Sequence, residues 1–123
     1  MAIDTQQLNE RISAFVANTP NVEGAVLASQ DGLPLASALP PTLEESRAAA
    51  MAAAVLAIGD RIGTELQRGH TQHITFQGAN GYSILTLCGS DSLFLVLANA
   101  DVKQGILLLE IRRIVENLAD ILN

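Results

Sequence analysis

Tryptophan is absent from this 123-residue sequence, and phenylalanine and tyrosine together make up only 3% of it. Proteins that hold single-stranded nucleic acid stack the bases on aromatic side chains, and the sequence offers few of these. Basic residues are scarce too, because 7 lysines and arginines stand against 13 aspartates and glutamates, for a net charge of −6. Phosphates and anionic lipids are bound by clustered cations. Both shortages argue against nucleic acid and against a membrane surface as partners.

Long apolar runs and cysteines are missing as well. No stretch approaches the ~20 apolar residues that a membrane-spanning helix needs. The first residues, MAIDTQQ, include neither a basic segment nor an apolar one, so we expect no secretory signal. The single cysteine, Cys88, permits no internal disulfide, which fits a reducing compartment. We therefore expect a cytoplasmic protein.

Hydrophobic residues, in contrast, make up 49% of the sequence, and charged residues only 16%. This balance favours a compact core over disorder, and the length suits one domain over residues 1–123. The mean hydropathy of +0.30 is high for a small soluble monomer. We expect a protein partner to cover part of the apolar surface.

The longest predicted helix covers residues 42–69 and includes the run RAAAMAAAVLA. Thr42 and Glu45 have the spacing of a capping box at its start. Gly69 follows Arg68 at the position expected of a glycine just beyond a helix C-terminus.

Turning each residue by 100° sorts this helix into faces. One stripe is assigned to the core of the domain itself: Ala48, Met51, Val55, Ile58, Gly59, Ile62 and Leu66. A second, small-residue flank is predicted to contact another helix at a dimer interface: Ala49, Ala52, Ala53, Leu56 and Gly63. The alternative is that alanine, the best helix former, fills positions that touch nothing. Leu56 in the middle of the flank argues against that alternative, because leucine suits solvent poorly.

Two further helices, over residues 3–18 and 101–122, and five strands, over residues 22–29, 33–38, 72–77, 82–88 and 93–98, are predicted. Hairpin-length turns join the first two strands and the last three, which indicates an antiparallel sheet. Residues 93–98 are apolar without interruption, as in a central strand covered on both faces. The sequence therefore predicts a three-layer α/β/α domain of the α+β class.

No arrangement of residues indicates an enzyme. His70 and His73 straddle a predicted helix end and lack the further donors of a metal site. Cys88 has no basic neighbour in sequence that would lower its pKa, so we interpret it as a core residue. Residues 78–81 lack the lysine of a phosphate-binding loop, and no serine lies in a Gly-x-Ser-x-Gly turn. We expect no catalytic residue, metal or cofactor.

Several segments resemble the Roadblock/dynein light chain family, in the bacterial branch that regulates small Ras-like GTPases. Residues 22–33 read VEGAVLASQDGL and are similar to the opening hairpin of that family. The alanine-rich helix closes in Arg68 and Gly69, and Gly81 and Tyr82 precede a strand. Residues 101–110, DVKQGILLLE, are similar to the start of the final helix in that branch. The resemblance covers essentially the whole chain.

The resemblance implies a five-stranded antiparallel sheet with the long helix on one face and the N- and C-terminal helices on the other. It also implies homodimers in which the long helices pack together and the sheets join edge to edge. By position, the joining edge is residues 72–77, which adds Gln72, Ile74 and Phe76 to the expected dimer interface.

The partner that the resemblance implies is a small Ras-like GTPase of the gliding and polarity type, or a motor-like assembly. Glu44, Arg47, Arg61 and Arg68 are candidate GTPase contacts, with plain solvation as the alternative, and no arginine finger is expected among them. Three functions stay open. They are a dimeric regulator of GTP hydrolysis, a structural dimerisation module of a motility or polarity complex, and a small-molecule sensor.

Overall fold

The computed structural model of the protein describes residues 3–122. In this part of the chain three helices and five strands follow one another in the predicted order. Their bounds are α1 Thr5–Asn18, β1 Val22–Ser29, β2 Pro34–Ala38, α2 Glu45–Glu65, β3 His73–Gly78, β4 Gly81–Cys88, β5 Ser92–Asn99 and α3 Gln104–Leu122. Each strand end lies within one residue of its predicted position, and the larger differences are at the helix ends.

The strands form one antiparallel sheet in the order β2-β1-β5-β4-β3. β5 is central, as its uninterrupted apolar run predicts, and β2 and β3 are the edges. Leu27 pairs with Ala36 while Ala28 pairs with Pro34, so the β1–β2 register shifts by one residue. An edge strand with a bulge accommodates Pro34, which has no N–H to donate to a neighbour.

Helices cover both faces of the sheet. On one face α1 and α3 pack over β1, β4 and β5, and the rings of Phe15 and Phe94 meet edge to face with centroids 5.9 Å apart. On the other face α2 packs over a smaller buried cluster that includes Val26, Leu85 and Leu93. The predicted three-layer α+β fold is confirmed.

Capping side chains explain one helix start and not another. Asp4 accepts a hydrogen bond from the backbone N–H of Gln7 at 3.0 Å, and α1 begins directly after it. α3 begins only at Gln104, although the sequence predicts a start at residue 101. The backbone N–H of Asp101 donates to the side-chain oxygen of Asn99 at 3.0 Å, and this hydrogen bond stabilises a turn before the helix.

α2 is shorter than predicted at both ends. Thr42 lies in a turn, and the N-cap is Glu44, which makes no side-chain capping bond. At the C-terminal end Gln67 takes a positive φ of 57°. The N–H of Arg68 then bonds to the carbonyl of Gly63 at 2.7 Å, which is the Schellman arrangement. Gln67, and not Gly69, therefore terminates the helix.

Candidate protein-binding surface

The small-residue flank of α2 contacts the sheet, and of the stripe assigned to the core only Ala48 and Gly59 also face inward. Ala49, Ala52 and Leu56 are at most 4% exposed and pack against buried side chains of the sheet. Gly63 is buried too. The assignment of these four residues to a dimer interface is therefore wrong, because they have no free surface for a second chain. Ala53 is half-buried beside the same cluster.

Close packing explains why the small residues face inward. The sheet presents large side chains to α2, among them Leu85 and Leu93, so apart from Leu56 the helix packs against them through small residues. A Cβ added at Gly63 would lie 2.1 Å from the carbonyl oxygen of Gly69, and one at Gly59 would lie 2.6 Å from Cδ1 of Ile74. Both glycines thus make room for the chain's own return into β3.

The turn between β1 and β2 covers the flank of α2 that lies away from β3. A Cβ built on Gly32 would approach the Cβ of Ala53 to 3.5 Å. Ala53 therefore faces a turn of its own chain, and we leave it out of any interface along β3.

Apart from Leu56, the large apolar side chains of α2 and of its C-cap residue Leu66 point away from the sheet. We call five of them the outer stripe: Met51, Val55, Ile58, Ile62 and Leu66, with exposed fractions of 63%, 42%, 59%, 50% and 63%. They recur at helical spacing, so they form one continuous row. Contiguous apolar surface of this kind marks a site of interaction with another molecule. The sequence pattern identifies this row, but the prediction that it enters the core is wrong.

An apolar groove of about 590 Å³ runs beside the outer stripe, over the part of the sheet that α2 leaves uncovered. Met51 and Val55 form its helical wall, and Phe76 and Leu97 line it from the sheet. Phe76 is 66% exposed, which is unusual for a phenylalanine on a strand. Since Met51 and Val55 belong to both features, the stripe and the groove form one surface.

β3 borders the same surface as an edge strand. Its pairing with β4 places Ile74 opposite Leu85 and Phe76 opposite Ser83. Leu85 faces α2, so Ile74 and Phe76 face the same side of the sheet. The outer backbone groups of β3 have no strand partner within residues 3–122. Gln72 is exposed just before the strand begins.

The four candidate GTPase contacts are exposed near the two ends of α2. Glu44 and Arg47 form an ion pair with a nitrogen–oxygen distance of 3.5 Å next to the groove. At the other end Arg61 pairs with Glu65 at 3.1 Å, and Nε of Arg68 donates to a backbone carbonyl two residues earlier at 3.0 Å. Exposed ion pairs contribute between about 0 and 1 kcal/mol, so these side chains can exchange partners at little cost.

Residues with reactive or metal-binding side chains are dispersed. Burial raises the pKa of the Cys88 thiol to about 11, and Cys88 is a core residue, as predicted. His70 is exposed in the loop after α2, and His73 begins β3. Within residues 3–122 no three His, Cys, Asp or Glu side chains come together as metal ligands. None of the helices in that range is long and apolar enough to span a bilayer.

Residues 8–98 match the Roadblock/LC7 domain. The chain belongs to that family. A Roadblock/LC7 domain from Streptomyces avermitilis superposes with a TM-score of 0.86 at 23% identity, over 93% of this chain and 96% of that one. MglB of Myxococcus xanthus superposes with a TM-score of 0.89 at 16% identity, over 99% and 92%. The uncharacterized protein MJ1340 of Methanocaldococcus jannaschii is 25% identical over 109 residues, which are 89% of this chain and 95% of that protein.

These comparisons confirm the family that the sequence resembles. The solved structures share less than 25% of their residues with this Roadblock/LC7 domain, so they speak for its fold alone. The superposition on MglB therefore assigns no function to this chain.

A signal in the sequence could have identified the outer stripe of this Roadblock/LC7 domain. Gly59 and Gly63 are one helical turn apart on the inner side of α2, and Gly69 follows in the connection to β3. Glycines at this spacing allow the backbone of a returning loop to cross the helix closely. A flank that carries the chain's own loop is not available to a second helix.

Proposed function

We propose that this Roadblock/LC7 domain is a non-enzymatic, homodimeric regulatory adaptor that binds a small Ras-like GTPase and modulates its GTP hydrolysis. The observation that carries the proposal is the uncovered outer stripe beside the free edge of β3. The resemblance to the GTPase-regulating bacterial branch supports the class of partner.

The position of the outer stripe and the free edge of β3 on the same face supports the proposed dimer. Two β3 strands that pair antiparallel across a twofold axis would extend the sheet and bring both α2 helices to the same side of it. Ile74 and Phe76 would then lie under the two helices, and Gln72 would lie at the rim. The proposed interface therefore comprises the outer stripe, Ile74, Phe76 and Gln72.

The stripe contributes substantially to the free energy of association but needs the edge as well. Burying the exposed half of one such side chain stabilises a complex by about 1 kcal/mol. Ten outer-stripe side chains from two copies would then contribute about 10 kcal/mol, against an association cost of about 4–15 kcal/mol. Phe76 and the hydrogen bonds between the two β3 strands supply the remainder in this proposal.

The GTPase contacts in the proposal are the exposed charges around the apolar surface. Glu44 and Arg47 lie beside the groove, and Arg61 and Arg68 lie at the opposite end of α2. We assign them to the rim of the contact, where charges mainly affect the association rate and its salt dependence. None is proposed as an arginine finger.

A second candidate function is a structural dimerisation module of a motility or polarity assembly, without an effect on nucleotide turnover. One observation favours it. Arg47, Arg61 and Arg68 are exposed around an apolar surface, and no other element of residues 3–122 holds any of them in a fixed position, so none is preorganised to stabilise a nucleotide.

Two assays with the small GTPases of the same organism test the proposal. Each GTPase is loaded with GDP or with a GTP analogue and tested for binding, and phosphate release is then measured with and without the domain. Nucleotide-dependent binding with altered release is the expected result. Binding without any change in release supports the structural module instead, and no binding to any GTPase refutes the regulatory role.

A matched pair of variants locates the contact. Arg47→Glu reverses a charge beside the groove, and Arg113→Glu reverses one on α3, on the other face of the sheet. We expect the first to weaken GTPase binding and the second to leave it unchanged.

A further inference from the structure

The outer edge of β2 differs from the outer edge of β3, although both strands end the same sheet. An edge strand pairs with a further strand through the backbone N–H and C=O groups that point away from its neighbour. In an antiparallel pair, alternate residues turn these groups outward. A sheet with two open edges can grow into rows of copies, so the chemistry of both edges limits how far this domain assembles.

Pro34 removes the first outward N–H of β2. The N–H of Ser29 donates to the carbonyl of Leu33 at 2.9 Å, so these two residues form a hydrogen-bonded pair at the turn. In the next pair, Ala28 and Pro34, the backbone groups of β2 therefore point away from β1. Proline has no N–H, so an added strand would find no donor at this position.

Asn9 of α1 occupies the second outward N–H. The backbone N–H of Ser37 donates to Oδ1 of Asn9 at 3.2 Å, so this amide points away from β1 and towards α1. The side-chain oxygen of Asn9 thus takes the place that a carbonyl of an added strand would take. The hydroxyl of Ser37 donates to Oε2 of Glu45 at 2.5 Å, so α2 holds the same residue from the other face. Side chains of two helices therefore fix the middle of β2.

Beyond Ser37 the chain leaves the edge of the sheet. β2 ends at Ala38, and Pro40 and Pro41 follow without an N–H. A Cβ built on Gly24 would lie 3.1 Å from Cδ of Pro40, so this segment passes closely against β1. The end of β2 therefore offers an added strand no continuous row of donors.

β3 is the open edge. It has six residues and no proline, and no side chain or loop of residues 3–122 bonds to its outward backbone groups. We propose that the sheet extends through β3 alone, so that edge pairing ends when two copies have joined. The count of two rests on the proposed homodimer, whereas the closure of β2 rests on Pro34, Asn9 and Ser37. A strand added to β2 would displace Asn9 and still leave a carbonyl opposite Pro34 without a donor.

Hydrogen exchange of the Ser37 amide, followed by NMR on the full chain, tests the closure of β2. Asn9→Ala removes the acceptor, so we expect the exchange of this amide to accelerate by at least about tenfold relative to the natural sequence. Asn9→Asp keeps an oxygen at the same place and should leave the rate within about threefold. Equal rates in Asn9→Ala and the natural sequence, or an equal acceleration in both variants, would overturn the proposal.

A double variant opens the edge itself. Asn9→Ala with Pro34→Val frees the N–H of Ser37 and supplies the missing one, and valine suits a strand. In sedimentation velocity at about 100 μM protomer we expect species larger than those of the natural sequence, with a mass that grows with concentration. Asn9→Asp with Pro41→Val changes as many residues but keeps the edge blocked, so it should sediment as the natural sequence does. Equal sizes of the opened variant and the natural sequence would overturn the proposal.

The outcome for β2 is separate from the outcome for the proposed homodimer. A natural sequence that sediments as a monomer refutes the homodimer, while an opened variant that is larger than this monomer still supports a closed β2. Circular dichroism checks that the double variant keeps its helices. If it does not, the exchange rates of Ser37 in the two single variants support or overturn the closure by themselves.

Discussion

Leu56 and Ile58 are two residues apart on α2, yet the structure gives them opposite roles. Leu56 is 4% exposed under the helix, and Ile58 is 59% exposed on the outer stripe. Leu56→Ala removes three carbons from a packed site and leaves a cavity, so we predict a loss of about 3 kcal/mol in the free energy of unfolding. Ile58→Ala removes carbons that already contact solvent, so its cost within one protomer should stay below about 0.5 kcal/mol.

Thermal unfolding followed by circular dichroism measures this difference. The entropy of unfolding of a 123-residue chain is roughly 0.26 kcal/mol/K, so the Leu56→Ala loss lowers the melting temperature by about 12 °C. The scans are run at low and equal protomer concentrations, because dimerisation would add its own stabilisation. If Ile58→Ala loses about 8 °C or more while Leu56→Ala stays within about 2 °C of the natural sequence, the assignment of the two faces is refuted.

Three further predictions concern stability. Gly63→Ala places a Cβ against the carbonyl of Gly69 and should lower the free energy of unfolding, measured with urea, by about 1–3 kcal/mol. A Cβ at Gly105 meets no atom within 4 Å, so the control Gly105→Ala should leave the free energy of unfolding unchanged or raise it. Asp4→Ala removes the side chain that caps α1 and should lower the free energy of unfolding by about 1 kcal/mol. Asp4→Asn keeps an oxygen that can accept the same hydrogen bond, so it should retain most of that stability. Because burial raises the pKa of Cys88 from 9.0 to about 11, the stability that the protonated thiol provides is present below pH 9 and is lost as pH rises towards 11. Cys88→Ala should lack this part of the pH dependence. If the free energy of unfolding changes with pH equally in both proteins between pH 9 and about 11, the raised pKa of Cys88 is contradicted.

The order of the elements could be predicted because each has a local cause. The apolar run of β5 requires a covered strand, Asp31 and Gly32 form the turn before β2, and Asp4 caps α1. These signals involve residues within a few positions of one another, and they need no knowledge of the tertiary contacts.

The orientation of α2 could not be predicted in the same way. Both flanks of this helix are apolar, so periodicity shows two candidate faces without ranking them. The shape of the sheet decides between them, since large strand residues such as Leu85 select small helix residues such as Ala52. Those contacts join residues far apart in sequence.

The helix end at Gln67 has a tertiary cause as well. A positive φ is rare for a residue other than glycine, and sequence rules therefore favour Gly69 as the terminating residue. The contact between Gly63 and the carbonyl of Gly69 instead determines where the chain must leave the helix.

The central claim is that the outer stripe of α2 binds a second copy of the chain, and sedimentation velocity tests it most directly. Ile58→Glu introduces a charge into the stripe, and Leu109→Glu introduces the same charge on α3, at a leucine that is 53% exposed. We predict that the natural sequence and Leu109→Glu sediment as dimers, and that Ile58→Glu sediments as a monomer with an unchanged helical spectrum. A dimer of undiminished affinity in Ile58→Glu would contradict the account.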